Sequence, residues 1–579
     1  MDDGEDLRVR AYYVWEAAGR PEGRAGEHWA QARQESGLDA AEAPVELAAN
    51  HLASIFEPDN IALLECRILP QYLLQRRWFA AKDRSIESLR MVTPVVPIAD
   101  VGVLAQVEVS IEGSIERYAL PLAVVWNSDD AGDEESELAR DMAIAAVRGE
   151  GRTGLLTDAF FVRAFIKGLL ATASDGKNVA SSEDGTLDIR LESGAEDAIG
   201  ACADADADLR WLSTEQSNSS VIVGRRIVMK LMRRLQSGVH PEAEMCRFLT
   251  RVGYGNASPL LAEIVQLDRD DGDGGQRSLL VLEGFVCNEG DAWSYATGCL
   301  RKALTQSGAA VSAEFEQLAG IVGRRLGELH TALSKGEGGV AFAPEAVQAR
   351  DIDEWKDAAV VQLEQAVDAL ERQRDSSSLS DHPLVRRIAE NRKHIVSAIR
   401  NATLAASNAA KTRIHGDFHL GQVLCAKDDV YIIDFEGEPA KPIDSRRAKS
   451  SVLRDVAGLL RSISYATAFA AKQHDASSAK TEARGDAPSE ARLEASRQAA
   501  ERNFLNAYVQ AANADPLATG DSDTVSLLNL FLVEKAAYEV CYEAANRPEW
   551  IGISLQGLAR ALAAFPGLDR RLGASTQPE

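Results

Sequence analysis

One stretch, at residues 413–422, reads Arg413-Ile414-His415-Gly416-Asp417-Phe418-His419-Leu420-Gly421-Gln422, and a second follows as Tyr431-Ile432-Ile433-Asp434-Phe435-Glu436. The first stretch places an acid in a tight loop and an amide five positions later. The second adds another acid after a short strand. Phosphoryl transfer needs a carboxylate to orient and deprotonate a hydroxyl, together with oxygen donors for magnesium. The pattern therefore predicts a kinase that acts on a small hydroxylated molecule.

The acids and the amide of these stretches are predicted to have different roles in such a site. We predict that Asp417 is the base, which must lie within hydrogen-bond reach of the hydroxyl that it deprotonates. Gln422 and Asp434 are predicted to bind magnesium through an amide and a carboxylate oxygen, and Glu436 is predicted as a further outer ligand. The expected cofactors are therefore ATP and Mg²⁺.

The nucleotide-binding half is predicted upstream of this loop. Residues 221–232 read as a β-hairpin that turns near Gly224, and Val228, Lys230 and Met232 share one face of its second strand. A lysine between apolar neighbours can lay its stem on the sheet and present its ammonium to the α- and β-phosphates. We assign Lys230 to the phosphates and Val228 to the same nucleotide site.

Two short segments flank this hairpin. Before it, Gln216, Ser217 and Ser219 have small polar side chains that allow a tight turn with N–H donors for phosphates. After it, a helix carries Glu242 and Glu244 in its first turn. Either glutamate could pair with the lysine, and we favour Glu244 because it leads the apolar stripe of the helix. The alternative is that both acids only stabilise the helix N-terminus.

The helix near residue 540 has a polar and aromatic side opposite its apolar stripe. Aromatic rings with acids and amides at one-turn spacing suit a sugar ring and its hydroxyls, and a solvated helix face is the alternative. The residues predicted to bind the sugar are Lys535, Tyr538, Glu539, Tyr542, Asn546, Arg547 and Trp550.

The composition excludes several classes of function. The net charge of −25, from 63 basic and 88 acidic residues, argues against nucleic-acid partners and anionic membranes, which bind clustered cations. The cysteines are widely spaced without a Cys-x-x-Cys pair, so neither a disulfide framework nor a zinc site is expected. No uncharged apolar run approaches the roughly 18 residues of a membrane span, and the acidic start lacks the pattern of a signal peptide. We therefore expect a cytoplasmic protein.

A chain of 579 residues is too long for one compact core and predicts roughly three to four units. Residues 7–33 read as two short helices and resemble a small bacterial domain of unknown function. Residues 471–499 are predicted to be a mobile insertion between two helices. The predicted units are an appended helical domain at 1–40, a linker at 41–64, a cap subdomain at 65–208, a nucleotide-binding subdomain at 209–290, a helical lobe with the catalytic loop and sugar site at 291–568, and a tail at 569–579.

Over residues 65–568 the chain resembles the bacterial maltokinases, within the aminoglycoside-phosphotransferase-like kinases. The kinase motifs are typical of the whole superfamily, whereas the last motif below is the part typical of maltokinases. The resemblance rests on Gln75–Lys82, Glu215–Ser220, Lys230, His415–Gln422, Ile433–Pro439, Arg446–Ser450, Arg454–Gly458, and Glu534–Glu539 continued by Asn546–Trp550.

The resemblance implies an α+β, two-lobed protein-kinase-like fold with an N-terminal α+β cap subdomain and a mainly helical C-lobe. It implies ATP-dependent phosphorylation of maltose at the anomeric hydroxyl, which gives maltose 1-phosphate for α-glucan or glycogen synthesis from trehalose-derived maltose. It also implies association with trehalose synthase, which supplies maltose.

Two rival functions stay open. The first is a kinase for another sugar or amino sugar, such as glucosamine, with the same ATP site. The second is a catalytically silent, sugar-sensing partner of a glucan-synthesis complex. The intact acids at positions 417 and 434 argue against the silent partner, and a panel of acceptor sugars would separate the two kinases.

Overall fold

The computed structural model describes residues 46–82, 84–127, 134–176, 179–180, 186–204, 207–212, 217–267, 275–305, 310–336, 338–374, 382–404, 410–439, 441–478, 487–512, 521–569 and 572. The helical unit predicted at 7–33 lies outside these ranges, as does the predicted phosphate-loop residue Gln216. The chain divides into two compact units, Met1–Gly168 and Leu169–Glu579.

The first unit is built on one mixed sheet. Its strands are β1 (Glu46–Ala48), β2 (Ile86–Ile98), β3 (Gly102–Ile111), β4 (Ser114–Ala119), β5 (Leu122–Trp126), β6 (Ala143–Gly149) and β7 (Arg152–Asp158). They pair in the order β1-β6-β7-β5-β3-β2, and β4 pairs with β3. The helices are α1 (Pro58–Leu63), α2 (Leu69–Gln75) and α3 (Glu134–Asp141), with single helical turns at Leu52–Phe56, Leu64–Ile68 and Ala159–Phe161. The boundary between the units falls within α4 (Arg163–Asp175).

Alternating apolar residues of β3 build the core of this unit. Val107, Val109 and Ile111 are fully buried, as expected for positions that share one face of a strand. The Tyr118 ring of β4 lies 5.2 Å from the Phe79 ring, so the segment after α2 covers the same core. The strands predicted here are confirmed, except that the one predicted at 118–126 is broken before β5.

The second unit begins with an antiparallel sheet. Its strands are β8 (Val179–Ala180), β9 (Thr186–Leu191), β10 (Leu209–Trp211), β11 (Asn218–Val223), β12 (Ile227–Met232), β13 (Leu260–Leu267) and β14 (Gln276–Gly284). They pair in the order β10-β11-β12-β14-β13-β9-β8. The helices beside the sheet are α5 (Ala195–Asp204) and α6 (Pro241–Arg251). The predicted hairpin is confirmed as β11–β12, with positive φ at Gly224 and Arg225 in its turn.

The rest of this unit is mainly helical. Its helices are α7 (Ala292–Thr305), α8 (Ala310–Leu333), α9 (Ala349–Arg374), α10 (Pro383–Glu390), α11 (Arg392–Asn401), α12 (Ile443–Arg447), α13 (Leu453–Ser478), α14 (Ala487–Ala512), α15 (Ser522–Asn546) and α16 (Ile551–Ala564). Two short hairpins accompany them, β15 (Glu345–Ala346) with β16 (Ala410–Lys411), and β17 (Val423–Ala426) with β18 (Asp429–Ile432). Single helical turns lie at Leu420–Gln422 and Pro548–Trp550.

Long helix pairs organise this helical part. Helix α8 packs along α14, and α9 packs along α15. The α8–α14 contact is close, because a Cβ atom at Gly327 would lie 2.8 Å from the Tyr508 carbonyl oxygen. The predicted insertion at 471–499 is corrected for its described residues: residues 471–478 continue α13 and residues 487–499 begin α14. Residues 479–486 lie outside the described ranges. Within the described residues, no helix combines the length and the apolar character needed to cross a membrane.

Candidate active site

Lys230 lies in the middle of the second sheet and is surrounded by acids. It forms an ion pair with Glu242 of α6, and its Nζ lies 3.7 Å from Glu283 Oε2 and 3.7 Å from Asp434 Oδ1. Burial disfavours the charged form, but the carboxylates of Glu242, Glu283 and Asp434 outweigh it and raise the pKa of Lys230 well above its usual value. The ammonium is therefore charged.

The partner of Lys230 is Glu242, so the prediction that favoured Glu244 is wrong. Residues two apart on a helix differ by about 200° in direction, so the two glutamates face different surroundings. Glu244 Oε2 accepts hydrogen bonds from Arg413 Nη1 at 2.5 Å and from Arg447 Nε at 2.9 Å. Its Oε1 accepts from Arg447 Nη2 at 2.8 Å. Glu244 thus connects α6 to the start of the catalytic loop and to α12.

Three carboxylates meet beside Lys230. Oxygen atoms of Glu242, Asp434 and Glu436 lie within 4.8 Å of one another. Glu242 Oε2 is buried and accepts no hydrogen bond from the described residues. A cluster of carboxylate oxygens with one unsatisfied member fits a hard divalent cation such as magnesium, which prefers oxygen ligands. Glu242 was not among the predicted ligands, because only the tertiary fold brings α6 to the strand end at Asp434.

Gln422 contacts the same cluster. Its Nε2 donates to Asp434 Oδ2 at 2.8 Å, and rotating the amide by half a turn would present its oxygen instead. Asp434 itself has a φ of +68°, which is uncommon for a residue other than glycine and is typical of functional sites. Gln422 and Asp434 are therefore brought together as the spacing of their motifs predicts.

Burial and mutual repulsion make the cluster reluctant to carry three negative charges. Burial and the charge of Asp434 raise the pKa of Glu436 to about 7, although Lys230 and Arg446 oppose the shift. Burial raises the pKa of Glu242 well above its usual value in the same way. A bound cation would favour the ionised forms by direct attraction.

The loop at residues 413–422, called the catalytic loop below, is anchored by the buried carboxylate of Asp455. The backbone N–H groups of His415 and Gly416 donate to Asp455 at 2.8 and 2.9 Å. Asp455 also forms a 3.0 Å hydrogen bond with His330 Nε2. His415 Nε2 donates to the Ile433 carbonyl oxygen at 2.9 Å, which joins the loop to the strand before Asp434. No role was predicted for Asp455 or His330, although the former lies in a quoted motif.

Asp417 faces a cation rather than open solvent. Its Oδ1 accepts a 2.7 Å hydrogen bond from Lys535 Nζ, and its Oδ2 lies 4.0 Å from His419 Nε2. Burial raises the pKa of Asp417, but Lys535 and His419 more than compensate and lower it to about 2. Asp417 is therefore ionised, as a base must be.

A cavity of about 840 Å³ opens beside Asp417, and its lining includes Lys535, Tyr538, Glu438 and Arg447. Lys535 and Tyr538 were predicted to bind the sugar, and they lie one turn apart on α15. The Lys535 ammonium lies 4.7 Å from the centre of the Tyr538 ring. These two positions satisfy the geometric requirement for contact with an acceptor.

The other five predicted sugar residues do not line this cavity. Glu539 forms an ion pair with Arg461 of α13, at 2.6 Å. Tyr542 stacks beside Tyr538 with ring centres 6.4 Å apart. The remaining contacts are Asn546 to the Tyr542 carbonyl oxygen at 2.9 Å, Arg547 to Glu543 at 2.7 Å, and Trp550 stacked on Phe469 at 4.8 Å. Their roles in binding stay predictions, and the structure gives them protein partners.

The predicted phosphate-binding turn is corrected at Ser219, which lies beside Asn218 in β11 and pairs with Leu231 of β12. Ser219 Oγ accepts a 2.8 Å hydrogen bond from Arg233 Nε, and Asn218 Nδ2 donates to Glu436. Ser217 is partly buried, and Val228 lies on the same strand face as Lys230. Asn218 is a contact that the analysis of the motif missed, although the residue stands in the quoted run.

Comparison with known proteins agrees with this geometry. Residues 208–437 match the family described as phosphotransferase enzyme family. Residues 3–35 match a protein family of unknown function, DUF2934, in agreement with the predicted appended domain. The matched phosphotransferase region contains Lys230, the catalytic loop and Asp434, and it confirms the predicted enzyme class.

Curated relatives and solved structures cover more of the chain. A glucosamine kinase of Mycolicibacterium smegmatis is 26% identical over 345 residues, which are 59% of this chain and 76% of the relative. A glucosamine kinase of Streptacidiphilus jiangxiensis is 25% identical over 358 residues, 59% of this chain and 70% of the relative. A solved glucosamine kinase in complex with glucosamine, ADP and inorganic phosphate has a TM-score of 0.55 at 18% identity, covering 87% of this chain and 99% of its own.

The structural likeness confirms the predicted α+β, two-lobed protein-kinase-like fold. The relatives are glucosamine kinases, so the maltokinase part of the resemblance is not supported by them.

Proposed function

We propose that this protein is an ATP-dependent kinase that phosphorylates a small sugar. The observation that carries the proposal is the convergence of Lys230, Gln422 and Asp434. Asp417, on the same loop as Gln422, lines the cavity. Lys230 Nζ lies 3.7 Å from Asp434 Oδ1, and Gln422 Nε2 lies 2.8 Å from Asp434 Oδ2. These groups have the roles that a phosphoryl-transfer site requires.

Each side chain has a defined part in the transfer. Lys230 would bind the α- and β-phosphates, and Asp434, Gln422 and the glutamates beside them would hold magnesium. A bound Mg²⁺ supplies charge neutralisation at the phosphates. The acceptor hydroxyl gives its proton to Asp417 while its oxygen bonds to the γ-phosphorus, and the bond from that phosphorus to ADP breaks. Most of the rate gain comes from positioning and electrostatic stabilisation.

Glucosamine is the first acceptor to test. Two curated relatives are glucosamine kinases, and each is covered over at least 70% of its length. The cavity also has carboxylates in its lining, among them Glu438, Asp444 and Glu534. The lining also carries cations, among them Arg446, Arg447 and Lys449, and Glu438 pairs with Lys441 at 3.0 Å. The choice of glucosamine therefore rests on the relatives and not on the charge of the cavity.

Maltose is the second candidate. The cavity of about 840 Å³ is near the upper end of the roughly 300–1,000 Å³ found for drug-sized ligands, so it leaves room for a disaccharide. The motif from Glu534 to Trp550 supports the same acceptor by resemblance. An association with trehalose synthase, and a place in glycogen synthesis, follow only if maltose is the substrate.

An acceptor panel tests the proposal. ADP release is measured with Mg-ATP and equal concentrations of glucosamine, maltose and glucose, with Asp417→Asn as the matched inactive variant. We expect release well above the acceptor-free rate with glucosamine. A higher rate with maltose would support the second candidate. If no sugar raises ADP release, the proposal is wrong, and a silent sugar-sensing partner becomes the hypothesis to test.

A further inference from the structure

The contact between Lys535 and Asp417 connects the acceptor helix to the catalytic base. Lys535 Nζ lies 2.7 Å from Asp417 Oδ1, and each side chain is less than one-fifth exposed. A base must contact the acceptor hydroxyl at a heavy-atom distance of about 2.6–3.2 Å. The ammonium therefore already donates a hydrogen bond to one of the two carboxylate oxygens of Asp417 that could accept the proton of the hydroxyl.

The ammonium also weakens the carboxylate as a base. A cation at hydrogen-bond distance stabilises the ionised form, and the pKa of Asp417 falls to about 2. A carboxylate of such low basicity gains little from taking a proton from water. The pair thus makes Asp417 a poor base as long as the ammonium stays in contact with it.

Lys535 has other partners within the same cavity. Its ammonium lies 4.7 Å from the centre of the Tyr538 ring, and the acid of Glu438 attracts it as well. Lys535, Tyr538 and Glu438 all line the cavity. A sugar bound there presents hydroxyl oxygens that accept hydrogen bonds from an ammonium. The lysine can therefore leave Asp417 for the sugar without losing all of its partners.

We propose that Lys535 guards the catalytic base against water and releases it when an acceptor enters the cavity. The inference rests on the proposed sugar kinase function and adds to it a device that suppresses futile hydrolysis. In that side reaction a water oxygen bonds to the γ-phosphorus, the bond to ADP breaks, and the water proton passes to Asp417. The products are ADP and inorganic phosphate.

The rate of ATP hydrolysis without an acceptor tests whether Lys535 protects Asp417 from water. In Lys535→Met we expect phosphate release without sugar to rise by about tenfold, a fraction of the roughly 10²–10⁴-fold that a positioned base contributes. Lys535→Arg keeps a cation and should keep hydrolysis low. Lys356→Met, which removes a lysine on α9 that donates to the Arg400 carbonyl oxygen, is the matched control and should hydrolyse like the wild type. Adding Asp417→Asn to Lys535→Met should abolish the increase.

The outcomes separate this inference from the proposed function. If the wild type phosphorylates a sugar but Lys535→Met hydrolyses no more ATP than the wild type, the guard is wrong. Loss of both hydrolysis and sugar phosphorylation in a folded Lys535→Met would show a different role and also overturn it. Lys535→Gln, which keeps a hydrogen-bond donor without charge, serves the same test if the methionine variant does not fold. Failure of the wild type with every sugar contradicts the proposed function instead.

Discussion

The acids around Lys230 and the polar side of α15 were both predicted to bind ligands. The structure brings the predicted residues together at the first place but only in part at the second. On the nucleotide side, Lys230, Gln422 and Asp434 converge as their motifs indicate. On the acceptor side, two of the seven predicted residues line the cavity. The difference teaches that a short motif with tight turns constrains geometry locally. A helix can be covered on several sides, and periodicity does not tell which side stays open.

Helix α15 shows why its exposed face was misjudged. It packs against α9, α13 and α16, so protein surrounds most of its circumference. Glu539 and Glu543 face α13, where Arg461 and Tyr465 meet them. These acids at one-turn spacing therefore hold α15 against α13. A sugar-binding face would show the same spacing, so the sequence pattern does not distinguish the two roles.

The largest expected effect lies at the base, where the nucleotide and acceptor sides meet. Asp417→Asn should lower turnover by roughly 10²–10⁴-fold, because the amide cannot accept the proton. ATP binding should stay nearly intact, since Lys230 and Asp434 are unchanged. Turnover comes from the coupled ADP assay and ATP affinity from calorimetry. Near-normal turnover would remove Asp417 from its role.

The two glutamates of α6 give the next comparison. Glu242→Gln should weaken ATP binding by about tenfold or more, because it removes the partner of Lys230 and an oxygen of the carboxylate cluster. Glu244→Gln should instead lower the free energy of unfolding by on the order of 2 kcal/mol, since buried Arg413 loses its counter-charge. Calorimetry and denaturant unfolding measure the two effects. Equal losses of ATP affinity in both variants would contradict the assignment of Glu242 to ATP binding and of Glu244 to stability.

A pair of aromatic substitutions sharpens the picture of α15. Tyr538→Ala should raise the KM for the acceptor about three- to tenfold, since an aromatic contact contributes roughly 0.5–1.5 kcal/mol. Trp550→Ala should leave that KM within about twofold and lower the thermal stability, because the ring stacks on Phe469. Steady-state kinetics measure the KM of each variant, and thermal melts measure its stability. A larger KM effect at Trp550 would restore the original prediction.

The smallest expected effect is a shift in the acid limb of the pH profile of kcat/KM, which reports the free enzyme, in which Lys535 still contacts Asp417. Asp417 works only when ionised, and its pKa of about 2 keeps it ionised down to pH 4 in the wild type. In Lys535→Met the cation is gone and only His419 and His415 still oppose the effect of burial, so the pKa of Asp417 should rise toward the ordinary carboxylate range or above. The variant should then lose activity between pH 6 and 4.5 where the wild type does not lose it through this group. Parallel profiles would show that Lys535 does not set the pKa.

Much of the nucleotide side could be predicted from the sequence because its signals are local. The hairpin at 221–232 follows from strand alternation and the turn at Gly224, and the loop at 413–422 carries its acid and amide five residues apart. The partner of Lys230 could not be chosen this way. Glu242 and Glu244 have the same chemistry, and only the packing of α6 against the sheet decides which of them faces the lysine.

Other parts of the site depend on residues far apart in the chain. His330 of α8 and Asp455 of α13 meet beneath the catalytic loop, and the Tyr508 hydroxyl lies 2.9 Å from His330 Nδ1. Reliance on local composition also explains the error in the described part of 471–499, where a segment rich in Ala, Ser, Glu and Lys was predicted to be an insertion. Those described residues are helical because α13 and α14 pack on other helices, and tertiary contacts outweigh local composition.

The sequence by itself determined the chemical class of the protein, because phosphoryl transfer needs particular groups at short, fixed spacings. It also determined the alternation of strands and helices, because apolar periodicity follows backbone geometry. Only the tertiary structure decided which glutamate meets Lys230, which side of α15 faces the acceptor, and that Lys535 contacts Asp417. These contacts join residues separated by up to 118 positions, and no local preference of the chain specifies such distances.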